Sequence, residues 1–321
     1  MSADPPRSGP RTASAAQDAL RLSRRRAILL VLGAAGTFSL AAACVKTLKG
    51  EVPLAEVVLW RNLFAIPALL PLMVRHGGLA ALRTTNPMGH AARILFGLLG
   101  MFGTFYGLVH LPFAVVSALG FTMPLFLTML SVPLLGEQVG WRRSMAVVVG
   151  FLGVLLIVQP SGGGGTEGAA AVTGSTTQLL AAGAVLLGAV GWALAMITIR
   201  RMGEAGERSV TIVLWFAIGS SLVAALASIP VWVWPRPQQW LLLAGVGLIS
   251  AVAQVMMTNA YRTGESTLLA PFEYSAIIWT MGMGVVFWGE VPELRDFVGI
   301  AVLVGSGLYI WHREVTLGVK R

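Results

Sequence analysis

Glu273 is the one charged residue in the stretch APFEYSAIIWTMGMGVVFW, residues 270–288. An ionisable side chain in hydrocarbon costs about 2.5–3.5 kcal/mol on insertion scales, so it needs a partner, a proton or water. Two readings of it stand. In one, Glu273 touches a water-filled cavity and binds a proton or a solute amine. In the other, it lies about 10 Å from Ser266 at 1.5 Å per residue and reaches interfacial water. The short reach of glutamate favours the first. Ala270, Ile277 and Thr280 share its helical face, and Pro271 frees a carbonyl and can kink the helix beside it.

A second polar set comprises Ser250, Gln254, Thr258 and Tyr261, spaced as one stripe on a helix. Facing lipid, that stripe would be costly, so it faces protein or a cavity. Ser117, Phe121, Pro124, Thr128 and Ser131 share a face of another apolar run, and Gly97, Gly100, Thr104 and Gly107 read as a close-packing seam. Arg61 and Asn62 interrupt VVLWRNLFAIP. Glu56 is five residues earlier, about 140° around the helix, and so is a poor partner for Arg61, which reads as a structural anchor. Glu137 and Glu290 end their helices and are expected to cap or pair locally. Among the aromatics Trp60, Trp192, Trp215, Tyr106, Tyr274 and Trp279, which could stack on a ring or wall a cation site, Trp192 and Tyr106 are the candidates for the cavity.

The elements that must position these residues are set by composition. Of 321 residues, 56% are hydrophobic and 12% charged, against about 25% charged in soluble domains. About 20 apolar residues span a hydrocarbon core. Ten spans are expected, at 27–45, 53–74, 92–110, 112–135, 143–159, 179–199, 210–233, 240–259, 266–288 and 297–311. The formal charge of +9 does not point to nucleic acid, because the basic residues are scattered between apolar runs. Eighteen of the 23 Lys and Arg fall on the N-terminal side of these spans, Arg93 among them; Lys46, Lys49, Arg236 and Arg295 fall on the other. Both termini are therefore expected in the cytoplasm and the chain in the cytoplasmic (inner) membrane. SRRRAILLVLGAAGTFSLAAAC, residues 23–44, imitates a twin-arginine export signal and a lipoprotein site, but cleavage there would contradict the charge asymmetry. Cys44 is the only cysteine, which excludes an intrachain disulfide and a thiolate metal site.

Residues 160–178, PSGGGGTEGAAAVTGSTTQ, read as a flexible linker between five spans and five. No Gly-Lys-Ser/Thr follows it, so it is no phosphate cradle. VVLW at 57–60 corresponds to IVLW at 212–215, an offset of 155 that also aligns Gly36 with Gly191; Gly136 and Glu137 correspond to Gly289 and Glu290 at 153. An odd number of spans per unit makes the second copy cross in the opposite sense. The expected fold is an all-α membrane protein of two inverted five-helix repeats, 27–159 and 179–311, with a disordered tail at 1–22 and a cytoplasmic tail at 312–321.

Ten spans in a five-plus-five repeat, with LLGEQVGWRR and FWGEVPELRD closing the fourth span of each half, resemble the drug/metabolite transporter superfamily with two EamA-type domains. The second half is similar to the bacterial branch of amino-acid exporters and of riboflavin or S-adenosylmethionine carriers. The resemblance implies a central cavity lined by the first, third and fourth spans of each half, with the second span, and so Arg61, outside it. One departure is that Pro124 has Ile277 opposite it in the repeat, while the ninth span has Pro271 and Glu273.

No H-E-x-x-H or G-x-S-x-G occurs, no Asp lies in a span, and the four histidines fall at span ends or in loops, so an enzyme is not expected. The expectation is a secondary carrier of a small amphipathic or zwitterionic metabolite, an amino acid or related compound. Riboflavin, S-adenosylmethionine or another metabolite or drug is the alternative cargo, and a non-transport membrane scaffold the remote one. No cofactor and no nucleic acid is expected. Partners are the metabolite and the lipid bilayer, with room for proton coupling and for a homodimer. Substrate-binding or coupling candidates are Glu273, Gln254, Ser250, Thr258, Tyr106, Trp192, Thr128 and Thr280; structural ones are Arg61, Glu56, Pro124 and Pro271.

Overall fold

The computed structural model describes residues 10–135, positions 145, 148, 149, 152 and 153, then 176–264, 269–291 and 294–317. Among the described residues the chain forms α-helices and short 3-10 segments, with no strand. The helices are α1 (Pro10–Thr47), α2 (Leu54–Arg75), α3 (Pro87–His110), α4 (Phe113–Gly120), α5 (Met123–Leu135), α6 (Thr176–Glu204), α7 (Ser209–Ser228), α8 (Pro237–Thr263), α9 (Ala276–Trp288) and α10 (Leu294–Leu317).

Among the described residues, seven segments are long and apolar enough to cross a membrane: 22–47, 54–75, 87–110, 115–135, 176–204, 209–231 and 237–262. They coincide with seven of the ten expected spans. Most of the fifth expected span, Glu137 and most of the Gly-rich linker lie outside the described residues. The ninth is broken, with a 3-10 segment at Ala270–Ser275 leading into α9. Proline at its start, lacking an N–H, accounts for the break. The fourth span breaks likewise between α4 and α5, at Phe121 and Thr122, just before Pro124. Within α10, Phe297–Ser306 forms an apolar stretch shorter than the seven.

Three boundaries differ from expectation. α1 begins at Pro10, so residues 10–22 continue the helix and are not a disordered tail; the Ala, Gln and Leu of ASAAQDAL are good helix formers. α10 carries the helix through Leu317, into the expected C-terminal tail. α3 starts five residues before the expected third span, because the Asn86 side chain accepts from the Gly89 N–H at 2.9 Å and Pro87 follows as the first helical residue.

Packing is most extensive between α3 and α6, α1 and α8, α2 and α7, and α2 and α8. The α3–α6 seam is built from glycine. A Cβ on Gly191 would lie 2.9 Å from both the Gly100 nitrogen and the Phe96 carbonyl oxygen, and one on Gly103 would meet the Ala184 carbonyl. Backbones this close are the usual mode of helix association in a bilayer. Outward, Leu29, Leu95, Leu187, Leu241 and Ile278 are exposed, as a surface solvated by lipid tails requires.

Candidate functional site

The helices leave a central cavity of about 230 Å³, which has room for a small organic solute or several waters. Its walls come from α1, α3, α4, α6, α8 and the 270–288 segment, with Phe121 at the α4–α5 break and one residue each from α2 and α5. Most of the lining is apolar, including Phe38, Met101, Phe105, Phe121 and Trp192. Against this wall stand a few polar groups: Ser39, Arg61, Thr104, Ser117, Gln254 and Glu273, with Ser250 and Thr280. That combination is typical of a small-molecule pocket.

Glu273 sits in the 3-10 segment, where its carboxylate accepts a hydrogen bond from the phenol of Tyr261 on α8. Tyr261 is fully buried, its ring packed in the core formed by Ala260, Met257 and Leu269 and its hydroxyl on this carboxylate. The same short segment leaves Tyr274 Oη and Ser275 Oγ buried without a hydrogen-bond partner among the described residues. On α8, Gln254 Nε2 donates to Thr258 Oγ1 at 3.3 Å, while Gln254 Oε1 is buried with no donor. Trp192 donates its indole N–H to Thr104 Oγ1 at 3.3 Å, across the α3–α6 seam.

Of the residues singled out from sequence, the structure brings Glu273, Gln254, Ser250, Trp192 and Thr280 to the cavity. Thr258 and Thr128 are buried but do not line it. Tyr106 does not line it either; its ring packs edge-on to His110 at 4.4 Å. Thr280 lines it with its hydroxyl returned to the Ala276 carbonyl at 3.0 Å. The side chains of Pro124 and Pro271 lie outside the described residues.

Two arginines change place. Arg61, expected as an anchor away from the cavity, lines it, with Nη1 donating to Asn62 Oδ1 at 3.1 Å and to Met101 Sδ at 3.3 Å. α2 packs against α7 and α8 deeply enough to turn this face inward. Arg93, counted from sequence among the charges of one membrane face, is fully buried because α3 begins earlier than expected; its Cζ lies 3.9 Å from the Phe216 ring centroid. Thr104, read from sequence as part of a close-packing seam, also lines the cavity, and Ser39 lines it without having given any sequence signal. Their positions depend on which way α1 and α3 face.

Charged groups also tie the two ends of the bundle. At one end Lys46 Nζ pairs with Glu290 at 2.9 Å and lies over the rings of Phe113 and Trp288, and Glu290 accepts from the Phe113 N–H at 3.1 Å. Glu290 therefore bridges α1, α4 and the end of α9, and does not cap or pair locally as expected; Gly289, at φ 66, turns the chain so that it can. Nearby, Glu56 is fully buried and Oε1 accepts from the Val233 N–H at 2.6 Å. At the other end Glu207 accepts from Thr84 Oγ1 at 2.5 Å and the Thr85 N–H at 3.0 Å, with His90 at 3.9 Å. Burial alone would raise the carboxyl of Glu207, but these donors and the His90 charge outweigh it and hold the group below its ordinary value. Arg201 also donates there to the Leu134 carbonyl at the end of α5.

Comparison with known proteins places this geometry among transporters. The EamA-like transporter family matches residues 25–159 and 179–311. The chain is 31% identical to the pseudopaline exporter CntI of Pseudomonas aeruginosa over 278 residues, 86% of this chain and 93% of that one. It is 30% identical to a riboflavin transporter of Rhizobium johnstonii, covering 84% of each chain. It is 25% identical to an S-adenosylmethionine uptake transporter of Rickettsia prowazekii, covering 81% of this chain and 83% of that one. A crystal structure shares the fold with a TM-score of 0.68 at 20% identity, over 91% of this chain and 96% of the other.

Proposed function

The chain belongs to the EamA-like transporter family, and from that premise we propose that it is a secondary active carrier of a small amphipathic or zwitterionic metabolite, an amino acid or a related compound. The observation that carries this reading is the central cavity, with an apolar wall and a Glu273 carboxylate held by Tyr261. A carboxylate inside a membrane bundle attracts a proton or a cationic group of a solute. An aromatic and methionine wall accommodates the apolar part of the same molecule. In this reading proton and solute cation compete for one carboxylate, and that competition couples transport to a gradient.

The architecture proposed is ten spans in two inverted repeats, 27–159 and 179–311, in the cytoplasmic membrane with both termini inside. Three features support it. The α3–α6 pairing joins a third span to a sixth and the α1–α8 pairing joins a first to an eighth, as a twofold exchange of the two halves requires. The breaks at Phe121 and Ser275 are 154 positions apart (275 − 121), within the sequence offset of 153–155. The Lys46–Glu290 pair and the Arg201–Leu134 contact each join one half to the other, at opposite ends of the bundle. They are candidate gates for alternating access.

Relatives named for riboflavin and for S-adenosylmethionine keep a larger ring-bearing cargo as the second reading. The deciding experiment is a metabolite screen on the purified protein by thermal stabilisation, followed by uptake into proteoliposomes. A ligand at 100 times its Kd stabilises the folded state by about 2.7 kcal/mol. Stabilisation and uptake by zwitterionic amino acids are expected; selective response to riboflavin would favour the second reading, and no uptake of any metabolite would contradict both.

A further inference from the structure

Arg61 and Arg93 are two guanidinium groups inside the bundle, 4% and 0% exposed, and among the described residues neither has a carboxylate within ion-pair distance. A buried cation without a counter-charge is strongly unfavourable, and buried charges in proteins are paired as a rule. The nearby acids are otherwise engaged. Glu56 is turned to the Val233 N–H, and Glu273 receives the Tyr261 phenol.

The two arginines differ in what they face. Arg93 lies on the Phe216 ring, and all three of its guanidinium nitrogens are buried without a hydrogen-bond partner among the described residues. Arg61 opens onto the central cavity. Its contacts to Asn62 and Met101 both leave from Nη1, which leaves Nη2 and Nε uncommitted among the described residues. A smaller recess beside it is lined by Asn62, Phe216, Ser250 and Gln254 together with Arg61 itself. Gln254 Oε1, a buried acceptor with no donor among the described residues, sits on the same wall.

Resting on the carrier reading, we infer that Arg61 binds a carboxylate group of the transported solute. The planar fork of guanidinium N–H donors matches two carboxylate oxygens, a geometry that lysine and neutral donors do not reproduce. The solute's anion supplies the counter-charge that the protein withholds from Arg61, and Arg93 behind it adds to the positive field that draws the anion in. A solute N–H or O–H satisfies Gln254 Oε1. Glu273, on the same cavity, takes the cationic end. Arg61 is then a specificity-determining residue, and cargo lacking an anionic group is excluded because it leaves the guanidinium unpaired.

The test uses the full-length protein in proteoliposomes at pH 6, with the L-amino acids as probes and, for each one transported, its carboxamide and its decarboxylated amine. On the wild type, the amide and the amine are expected to lose roughly tenfold to hundredfold in apparent affinity relative to the acid. Arg61→Gln is expected to lose the same factor for the acid while its affinity for the amine is unchanged, and Arg61→Lys to fall between. Wild-type protein that transports the amide as well as the acid overturns the inference, whether or not the variants fold. So does Arg61→Gln with full affinity for the acid, and so does transport of riboflavin with none of any amino acid, an outcome that leaves the carrier reading standing. Failure of every amino-acid probe overturns the inference, and the carrier reading falls with it only if the wider metabolite screen also finds no uptake.

Discussion

The Tyr261 phenol donates its hydrogen bond to the Glu273 carboxylate, and this contact fastens α8 to the 3-10 segment ahead of α9 at the cavity wall. Tyr261→Phe keeps the packed ring and removes only the donor. The expected outcome is a stability loss of about 1.5–3 kcal/mol in thermal unfolding, the usual value for a hydrogen bond to a charged group. Apparent affinity for cationic or zwitterionic solutes is expected to fall about threefold to tenfold, because the carboxylate is no longer held in one place. Unchanged KM and unchanged stability in the same preparation would show that the bond contributes to neither.

Lys46 and Glu290 provide a test of the gates. A Lys46→Cys, Glu290→Cys pair in a background lacking Cys44 should be joined by a short, cleavable bifunctional thiol reagent, since the ion pair sets the two positions facing each other across this end of the bundle. Crosslinking is expected to stop transport and cleavage of the linker to restore it. Full transport by the crosslinked protein would mean that this end of the bundle does not open.

Glu207 makes stability depend on pH. Its carboxyl is held below its ordinary value, so the folded state takes up its proton less readily than the unfolded state. The stabilisation it provides is complete above the ordinary carboxylate range of about 4.3 and is lost as pH falls through the folded value. Melting temperatures of the wild type should therefore fall on acidification below about pH 5. Glu207→Gln should melt lower at pH 7, by about 2–4 kcal/mol of stability, and show a flatter acid limb. Parallel pH curves for the two proteins would contradict the assignment.

How far the sequence revealed the site depended on whether the signal was local. Glu273 and the Ser250–Gln254–Tyr261 stripe were legible because a carboxylate or a polar stripe in apolar sequence demands an explanation wherever it packs. The hydrogen bond between Tyr261 and Glu273 was not, since it depends on a break in the ninth span that turns the carboxylate toward α8. Arg61 was visible as a charge, but the direction it faces is set by how α2 packs, which no local pattern encodes. Arg93 was assigned to a membrane face because the Asn86–Pro87 helix start was overlooked, a signal that was available. The Lys46–Glu290 pair joins residues separated by most of the chain, where no spacing rule operates. The seven segments that qualify as spans were legible throughout, because hydropathy and length act locally.

Gly191 measures how tightly the halves meet. A Cβ there would stand 2.9 Å from backbone atoms of Gly100 and Phe96, which cannot rotate away. Gly191→Ala is expected to lower stability by about 1–3 kcal/mol, as overpacking does, and to reduce transport by forcing α3 from α6. Gly183→Ala on the same helix, with open space around its Cβ, should be nearly neutral. Equal melting curves for the two variants would contradict the close-packed seam.

The central claim is that the Glu273 carboxylate is the group in the cavity over which proton and solute compete. The most direct measurement is the pH dependence of solute uptake into proteoliposomes by the wild type and by Glu273→Gln, which keeps size and hydrogen bonding while removing the charge. The variant is expected to fold and insert, to lose the pH dependence, and to lose cationic and zwitterionic solutes selectively, while Glu273→Asp retains partial activity. If Glu273→Gln transports the same solutes with the wild-type pH profile, the carboxylate does no more than reach interfacial water and the proposed site is wrong.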